Sequence, residues 1–205
     1  MLTIKQGKRE DLPVICIFKA GFISCICNFY LWYRFQQKNN VIIQATKTYP
    51  FMVKKSAGIL LYRFDNNLTE VLLVHPGGPF WAKKDLGAWS IPKGEFEANE
   101  KPLDAAIREV EEELGIKISG EFIELKPVKL KSGKIVFAWA LQHDTDPANI
   151  KSNTFEFEWP PKSGKKILIP EVDQAGWFSV EEARKKINAG QIHLIEELII
   201  KLQYF

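Results

Sequence analysis

Beyond residue 52, apolar and polar positions follow patterns that predict strands and helices in turn. Segments 57–64 and 70–75 are rich in leucine and β-branched residues and are joined by an Asp-Asn-Asn turn, so we expect a β-hairpin. Segment 103–114 repeats apolar residues at intervals of three and four, which predicts a helix with one buried stripe. Gly115 follows directly and is expected to cap the C-terminus of that helix.

The rest of this region predicts further strands and two more helices. Ser179 and Glu182 form a capping box, which predicts a helix through residue 186, and a last helix is expected over 193–202. This order of elements predicts an α/β fold in which a mixed β-sheet is sandwiched between helices. The further strands are expected at 122–130, 135–142, 166–169 and 174–178, with a short one in A-W-S-I-P-K-G that ends at Pro92.

Composition and charge indicate one globular domain with an appendage. The chain has 205 residues, 46% of them apolar, and a net charge of +3, which is too small to indicate a stable nucleic-acid partner. Residues 1–51 contain seven basic and two acidic residues, whereas 52–205 contain 21 basic and 23 acidic ones. All three cysteines also lie in 1–51, so 52–205 has neither a disulfide nor a thiolate metal site. A reducing, cytoplasmic location is expected.

Residues 1–51 are treated as an uncertain N-terminal extension, and 52–205 as the domain. The apolar segment 12–33 is interrupted by Lys19 and Asn28, so membrane association is not expected. No small-residue cleavage site follows it, which argues against a signal peptide. Met52 stands directly before the first strand of the domain and is an alternative natural start. The first fifteen residues weakly resemble the opening of a GNAT-type acetyltransferase.

An unusual density of carboxylates marks segment 94–116, which contains seven glutamates and one aspartate. Glu109, Glu112 and Glu113 are spaced i, i+3, i+4 and share one face of the predicted helix. Like charges so placed repel, at a cost of a few tenths of a kcal/mol for each i, i+4 pair. A divalent cation such as Mg²⁺ or Mn²⁺ would offset this repulsion, and Arg108 would orient a carboxylate for it. The alternative is an acidic helix face that only contacts solvent.

The spacing of these residues resembles the Nudix box. The fixed positions are Gly94, Glu100, Arg108, Glu109, Val110, Glu112, Glu113, Gly115 and Ile116. The chain therefore resembles the Nudix hydrolases over residues 52–205, which implies an α/β/α sandwich and hydrolysis of a nucleoside diphosphate linked to another group. The resemblance implies metal binding by Glu109, Glu112, Glu113 and the carbonyl of Gly94. It also implies that Arg108 orients the metal-binding carboxylates and that Glu100 stabilises the loop.

The resemblance leaves the general base and the substrate open. In this family the base lies on the box helix or on a distal loop, where Glu156 and Glu158 are candidates, although T-F-E-F-E-W is also typical of a half-exposed strand. Lys93 precedes Gly94, and this Pro-Lys-Gly entry is similar to that of asymmetric dinucleoside tetraphosphate hydrolases and of diphosphoinositol polyphosphate phosphohydrolases. Lys93 would then contact a multiply phosphorylated substrate.

The loop H-P-G-G-P-F-W offers further substrate-binding candidates. Its two glycines could expose backbone N–H groups to phosphate, and Phe80 or Trp81 could stack on a base. The same residues are also typical of a tight turn whose aromatic side chains cover the sheet.

Three classes of function follow. We favour a metal-dependent hydrolase of nucleoside di- or polyphosphate derivatives, such as nucleoside triphosphates or diadenosine tetraphosphate, because every box carboxylate is present. Diphosphoinositol polyphosphates and nucleotide sugars are alternative substrates. The second class is a non-catalytic, nucleotide-sensing Nudix module. The third is a membrane-associated or acetyltransferase-fused protein whose function depends on residues 1–51. A small nucleotide is the expected partner, and the sequence leaves the oligomeric state undetermined.

Overall fold

A computed structural model describes residues 53–204, which form eight β-strands and three α-helices. The expectations for residues 1–51 lie outside this range. The strands are β1 (Lys55–Asp65), β2 (Leu68–Pro76), β3 (Lys93–Glu95), β4 (Ile123–Lys129), β5 (Ile135–Gln142), β6 (Thr154–Glu158), β7 (Lys166–Pro170) and β8 (Val172–Ser179). The helices are α1 (Pro102–Leu114), α2 (Val180–Lys186) and α3 (Ile192–Leu202). None of these helices is long and apolar enough to cross a membrane.

Six strands form one mixed sheet, and β6 and β7 form a separate hairpin. The order in the sheet is β4-β5-β1-β2-β8, with β3 paired to β1. Strands β1 and β5 run parallel, whereas the other pairs are antiparallel. The predicted β1–β2 hairpin is confirmed, and its turn places Asn66 and Asn67 at positive φ, a conformation that asparagine tolerates well.

Helices cover both faces of the sheet because successive side chains of β1 point to opposite sides. Ile59 and Leu61 pack in the core that contains α1, whereas Leu60 packs in the core that contains α2 and α3. All three side chains are fully buried. This arrangement confirms the predicted α/β/α sandwich.

The cap residues expected for two helices also agree with the structure. Helix α1 ends at Leu114, and the N–H of Gly115 donates to the carbonyl of Glu111 at 2.9 Å. Helix α2 begins after Ser179, whose hydroxyl accepts a hydrogen bond from the N–H of Glu182 at 3.3 Å.

The short strand before α1 does not end at Pro92 as predicted, because β3 begins one residue later, at Lys93. Proline has no N–H to donate, but the carbonyl of Pro92 accepts a hydrogen bond from Ile59 of β1 at 3.1 Å. That bond starts the pairing with β1 that continues through Gly94. Ser90, which the prediction placed in the strand, forms only an isolated bridge to Val74.

Candidate active site

The site is built where β3 meets α1, at the closest contact between the two elements. The carboxylate of Glu109 lies against Gly94, so tightly that a Cβ atom at that position would collide with it. Gly94 is paired with Ala57 of β1, which fixes it at the edge of the main sheet. A side chain at position 94 would therefore displace the Glu109 carboxylate from its place in the site.

Arg108 joins three of the box carboxylates. Its guanidinium donates to both oxygens of Glu100, at 3.0 and 3.2 Å. Its Nη1 also donates to Glu109 at 2.7 Å and to Glu112 at 3.1 Å. These hydrogen bonds raise the pKa of the arginine and hold the pKa of the Glu100 carboxyl below its usual range. Arg108 thus lies where the sequence predicted an orienting residue.

Glu109 and Glu113 are the carboxylates turned inward. Glu109 is only 7% exposed, and its burial raises the pKa of its carboxyl despite the neighbouring Arg108. Burial raises the pKa of Glu113 to about 8. Its Oε2 accepts a hydrogen bond from the backbone N–H of Lys93 at 3.1 Å. The sequence predicted that these carboxylates share one face of the helix, and α1 packs them against β3. Glu111, in contrast, points to solvent.

Lys93 carries the positive charge on the β3 side of this group. Its side chain is half-buried, and that burial lowers the pKa of its ammonium group. The negative charges of Glu113 and Glu109 oppose the lowering. Neither carboxylate forms an ion pair with Lys93 within 4.0 Å. The two carboxylates therefore act on its ammonium group at longer range than an ion pair.

Glu171 is a site residue that sequence reasoning missed. It is the single residue between β7 and β8, and its charge raises the pKa of both Glu109 and Glu113. Its backbone N–H donates to the carbonyl of Asn153 at 2.9 Å, and Asn153 donates in turn to the carbonyl of Glu112 at 3.2 Å. These hydrogen bonds bring the β7–β8 junction to the end of α1. The contact joins segments that are distant in the chain, and no local sequence motif predicts it.

Glu156 and Glu158, the candidates for a distal base, belong instead to the β6–β7 hairpin. The carboxylate of Glu156 pairs with Lys166 across the hairpin at 2.6 Å. That of Glu158 accepts the N–H of Gly164, in the hairpin's own turn, at 2.8 Å. The structure gives both carboxylates hydrogen-bond partners within the hairpin, and it brings neither into contact with the box.

The substrate-binding candidates of the loop after β2 lie in different surroundings. Phe80 is half-exposed and contacts the β6–β7 hairpin, whereas Trp81 packs on the core beneath α2 and α3. The N–H of Gly77 donates to the carbonyl of Glu171 at 3.0 Å and is therefore not available to a phosphate. A side chain at Gly77 would collide with the carbonyl of Pro170, so this glycine serves close packing.

The donor set fits a hard divalent cation, because Glu109, Glu112 and Glu113 offer only carboxylate oxygens and Gly94 adds a carbonyl. A cation would also stabilise the ionised form of the two inward carboxylates. Within residues 53–204, no three potential ligand side chains are already grouped as a metal cluster. Arg108 contacts one oxygen of Glu109 and one oxygen of Glu112.

We predict that, with a chelator present, the free energy of unfolding falls as pH rises between about 5 and 8. The pKa of Glu113 is raised from 4.5 to about 8 in the folded chain, so folding favours its protonated form. That contribution is complete below the unfolded value and is lost as pH rises through the folded one. Urea unfolding across this range should show the fall, and Glu113→Gln should flatten it. The exposed Glu111→Gln is the matched control, and an unchanged slope in Glu113→Gln would contradict the assignment.

Comparison with known sequences identifies the family and several relatives. The NUDIX domain family model matches residues 52–198. The chain is 30% identical over 100 residues to the asymmetrical bis(5'-nucleosyl)-tetraphosphatase of Rattus norvegicus, an alignment that covers 43% of this chain and 64% of that enzyme. It is 26% identical over 134 residues to the m7GpppN-mRNA hydrolase of Saccharomyces cerevisiae, covering 63% of this chain but only 11% of the yeast protein.

Solved structures show the same fold. A C. elegans Ap4A hydrolase in a binary complex aligns with a TM-score of 0.54 at 23% identity, covering 75% of this chain and 100% of that one. The NUDIX domain of Shewanella oneidensis NrtR, complexed with ADP ribose, aligns with a TM-score of 0.52 at 14% identity, covering 73% and 88%. The family match spans most of the chain and includes every residue of the site, so this chain belongs to the NUDIX domain family.

Proposed function

We propose that this chain is a pyrophosphohydrolase that cleaves a phosphoanhydride bond of a nucleoside polyphosphate with the help of Mg²⁺ or Mn²⁺. One observation carries the proposal: α1 packs the carboxylates of Glu109 and Glu113 inward against Lys93 and Gly94 of β3. Buried like charges destabilise a fold unless a cation compensates them. A site that retains them is suited to binding cations and phosphates together.

The residues have separate tasks in this proposal. Glu109, Glu112 and Glu113, with the carbonyl of Gly94, hold the cation, and Arg108 sets the orientation of the carboxylates it contacts. When bound, a divalent cation neutralises phosphate charge and makes water more acidic. Glu171 faces the same carboxylates from outside the box, and its exposed side chain is the proposed acceptor of the proton from the attacking water.

A substrate with several phosphates is the preferred candidate. The rat relative is an asymmetrical bis(5'-nucleosyl)-tetraphosphatase, and it aligns at 30% identity over 100 residues. Lys93 lies next to Gly94 in β3, and its protonated ammonium group would suit a long polyphosphate chain. Nucleotide sugars and diphosphoinositol polyphosphates are the alternatives. A panel of these substrates with Mg²⁺, with every product identified, tests the reaction and its substrate together.

A non-catalytic nucleotide sensor is the competing function. The NrtR neighbour is a NUDIX domain complexed with ADP ribose, and it shares the fold of this chain. In this chain all three glutamates of the predicted metal site are present on α1, which favours hydrolysis. Tight binding of nucleotides from the panel without any turnover, in either Mg²⁺ or Mn²⁺, would instead support the sensor.

Glu112→Gln should lower kcat by at least about a hundred-fold, since even indirect support of a metal ligand contributes ten- to a hundred-fold. Rates with Mg²⁺, with a chelator, and after Mg²⁺ is restored would measure the effect. Glu111→Gln is the matched control because Glu111 points to solvent on the same helix. A larger loss for Glu111→Gln than for Glu112→Gln would show that the carboxylate assignment is wrong.

Glu171→Gln should reduce kcat by about 10²- to 10⁴-fold and leave KM nearly unchanged, because a general base acts on the proton of the attacking water. Glu156→Gln, on the exposed face of the hairpin, is the control and should retain full activity. Equal rates for wild type and Glu171→Gln would exclude Glu171 as the base.

Lys93→Met keeps the aliphatic stem and removes the charge. It should raise KM for a tetraphosphate-bridged dinucleotide much more than for a diphosphate-linked sugar. A charge-assisted hydrogen bond contributes about 1.5–3 kcal/mol, which corresponds to a roughly ten- to hundred-fold loss in kcat/KM on the longer substrate. Steady-state kinetics on both substrates separate this effect from a general defect, which would lower both rates together.

A further inference from the structure

The β6–β7 hairpin has one face that is almost entirely apolar. The register pairs Phe155 with Ile169 and Phe157 with Ile167, so these four side chains lie on one face. Glu156, Glu158, Lys166 and Leu168 lie on the other. The aromatic spacing continues to Trp159, directly after β6. We name the aromatic face by three residues: Phe155, Phe157 and Trp159.

The rings of the aromatic face contact one another and leave part of their surface open. Phe80 lies edge-on to Phe157 and to Trp159, with centroid distances of 5.8 and 5.0 Å. Phe155 lies edge-on to Phe157 at 6.2 Å. Phe80 is nevertheless 52% exposed and Phe155 is 42% exposed. Within residues 53–204, these rings therefore form an ordered cluster whose surface stays partly exposed to solvent.

The aromatic face begins beside the candidate active site. Asn153 precedes β6 and bonds to the carbonyl of Glu112, and Glu171 follows β7 and faces Glu109 and Glu113. A strand rises about 3.3 Å per residue, which places Phe155 and Phe157 roughly 7 and 13 Å along the chain from Asn153. A ligand held at the carboxylates could extend over these rings.

The composition of the face favours a small planar ligand over a protein. A stable protein interface needs about 1,000 Å² of buried surface in total, more than a few half-exposed side chains can supply. Exposed aromatic rings suit a nucleobase, because every base presents a flat face for stacking. We propose that the aromatic face binds the base of the nucleotide, with Phe80 holding Phe157 and Trp159 in position. This inference rests on the proposed function and adds to it the element that recognises the base.

Binding of non-hydrolysable ligands tests the inference without depending on turnover. The probes are triphosphates of adenosine, guanosine, cytidine and uridine in which methylene groups replace both the α,β- and the β,γ-bridging oxygens, compared with tripolyphosphate that carries the same two methylene bridges, each titrated calorimetrically into the full chain with Mg²⁺. At least one nucleotide should bind roughly five- to a hundred-fold more tightly than tripolyphosphate. Phe155→Leu and Trp159→Leu should reduce that ratio, and Leu168→Ala, on the opposite face, should preserve it.

The possible results separate the two proposals. If nucleotides bind in a base-dependent way but no phosphoanhydride is hydrolysed, the proposed activity is wrong and the base site stands. If wild type binds every nucleotide no more tightly than tripolyphosphate, the base site is wrong even when hydrolysis is observed. The base site is also wrong if Phe155→Leu and Trp159→Leu both leave the ratio of nucleotide to tripolyphosphate affinity unchanged. The same holds if these variants change only the sedimentation behaviour of the chain. Phe155 is exposed, so Phe155→Leu provides a variant with little risk of misfolding.

Discussion

The contacts of Arg108 with three carboxylates are the interaction on which the site depends. Without that guanidinium, Glu100 in the loop before α1 would repel Glu109 and Glu112 on the helix. One planar cation satisfies oxygens from both the loop and the helix, so the two are fixed together. The carboxylates of this segment therefore also have a structural role, because Arg108 balances the repulsion among them within the protein.

The main sheet determines the position of Arg108 and its carboxylate partners. Strand β1 pairs with β2, β3 and β5, so it occupies the interior of the sheet and holds β3 in register. Gly94, opposite Ala57, then receives the carboxylate of Glu109 from α1. A displacement of α1 along the sheet would separate these groups. Apolar packing of α1 on Ile59 and Leu61 opposes such a displacement.

The order of the predicted strands and helices indicated the sandwich. Local patterns in the sequence predicted the β1–β2 hairpin and the helix caps, because each depends on neighbours a few positions apart. They did not reveal Glu171, whose approach to α1 requires the hydrogen bonds of Asn153, 18 residues earlier. They also left Phe80 and Trp81 equivalent, although these adjacent side chains lie in different surroundings. The positions of these side chains depend on contacts between segments that are distant in the chain. Hydrophobic periodicity carries no information about such contacts.

The hairpin of β6 and β7 takes no part in the six-stranded sheet. Its two strands pair only with each other, and it leaves and returns to the body of the protein at neighbouring residues, Asn153 and Glu171. Such a segment can change in length and side chains while the sheet and α1 remain intact. Related proteins could thus diverge in what they recognise by exchanging this segment, with the box inherited unchanged.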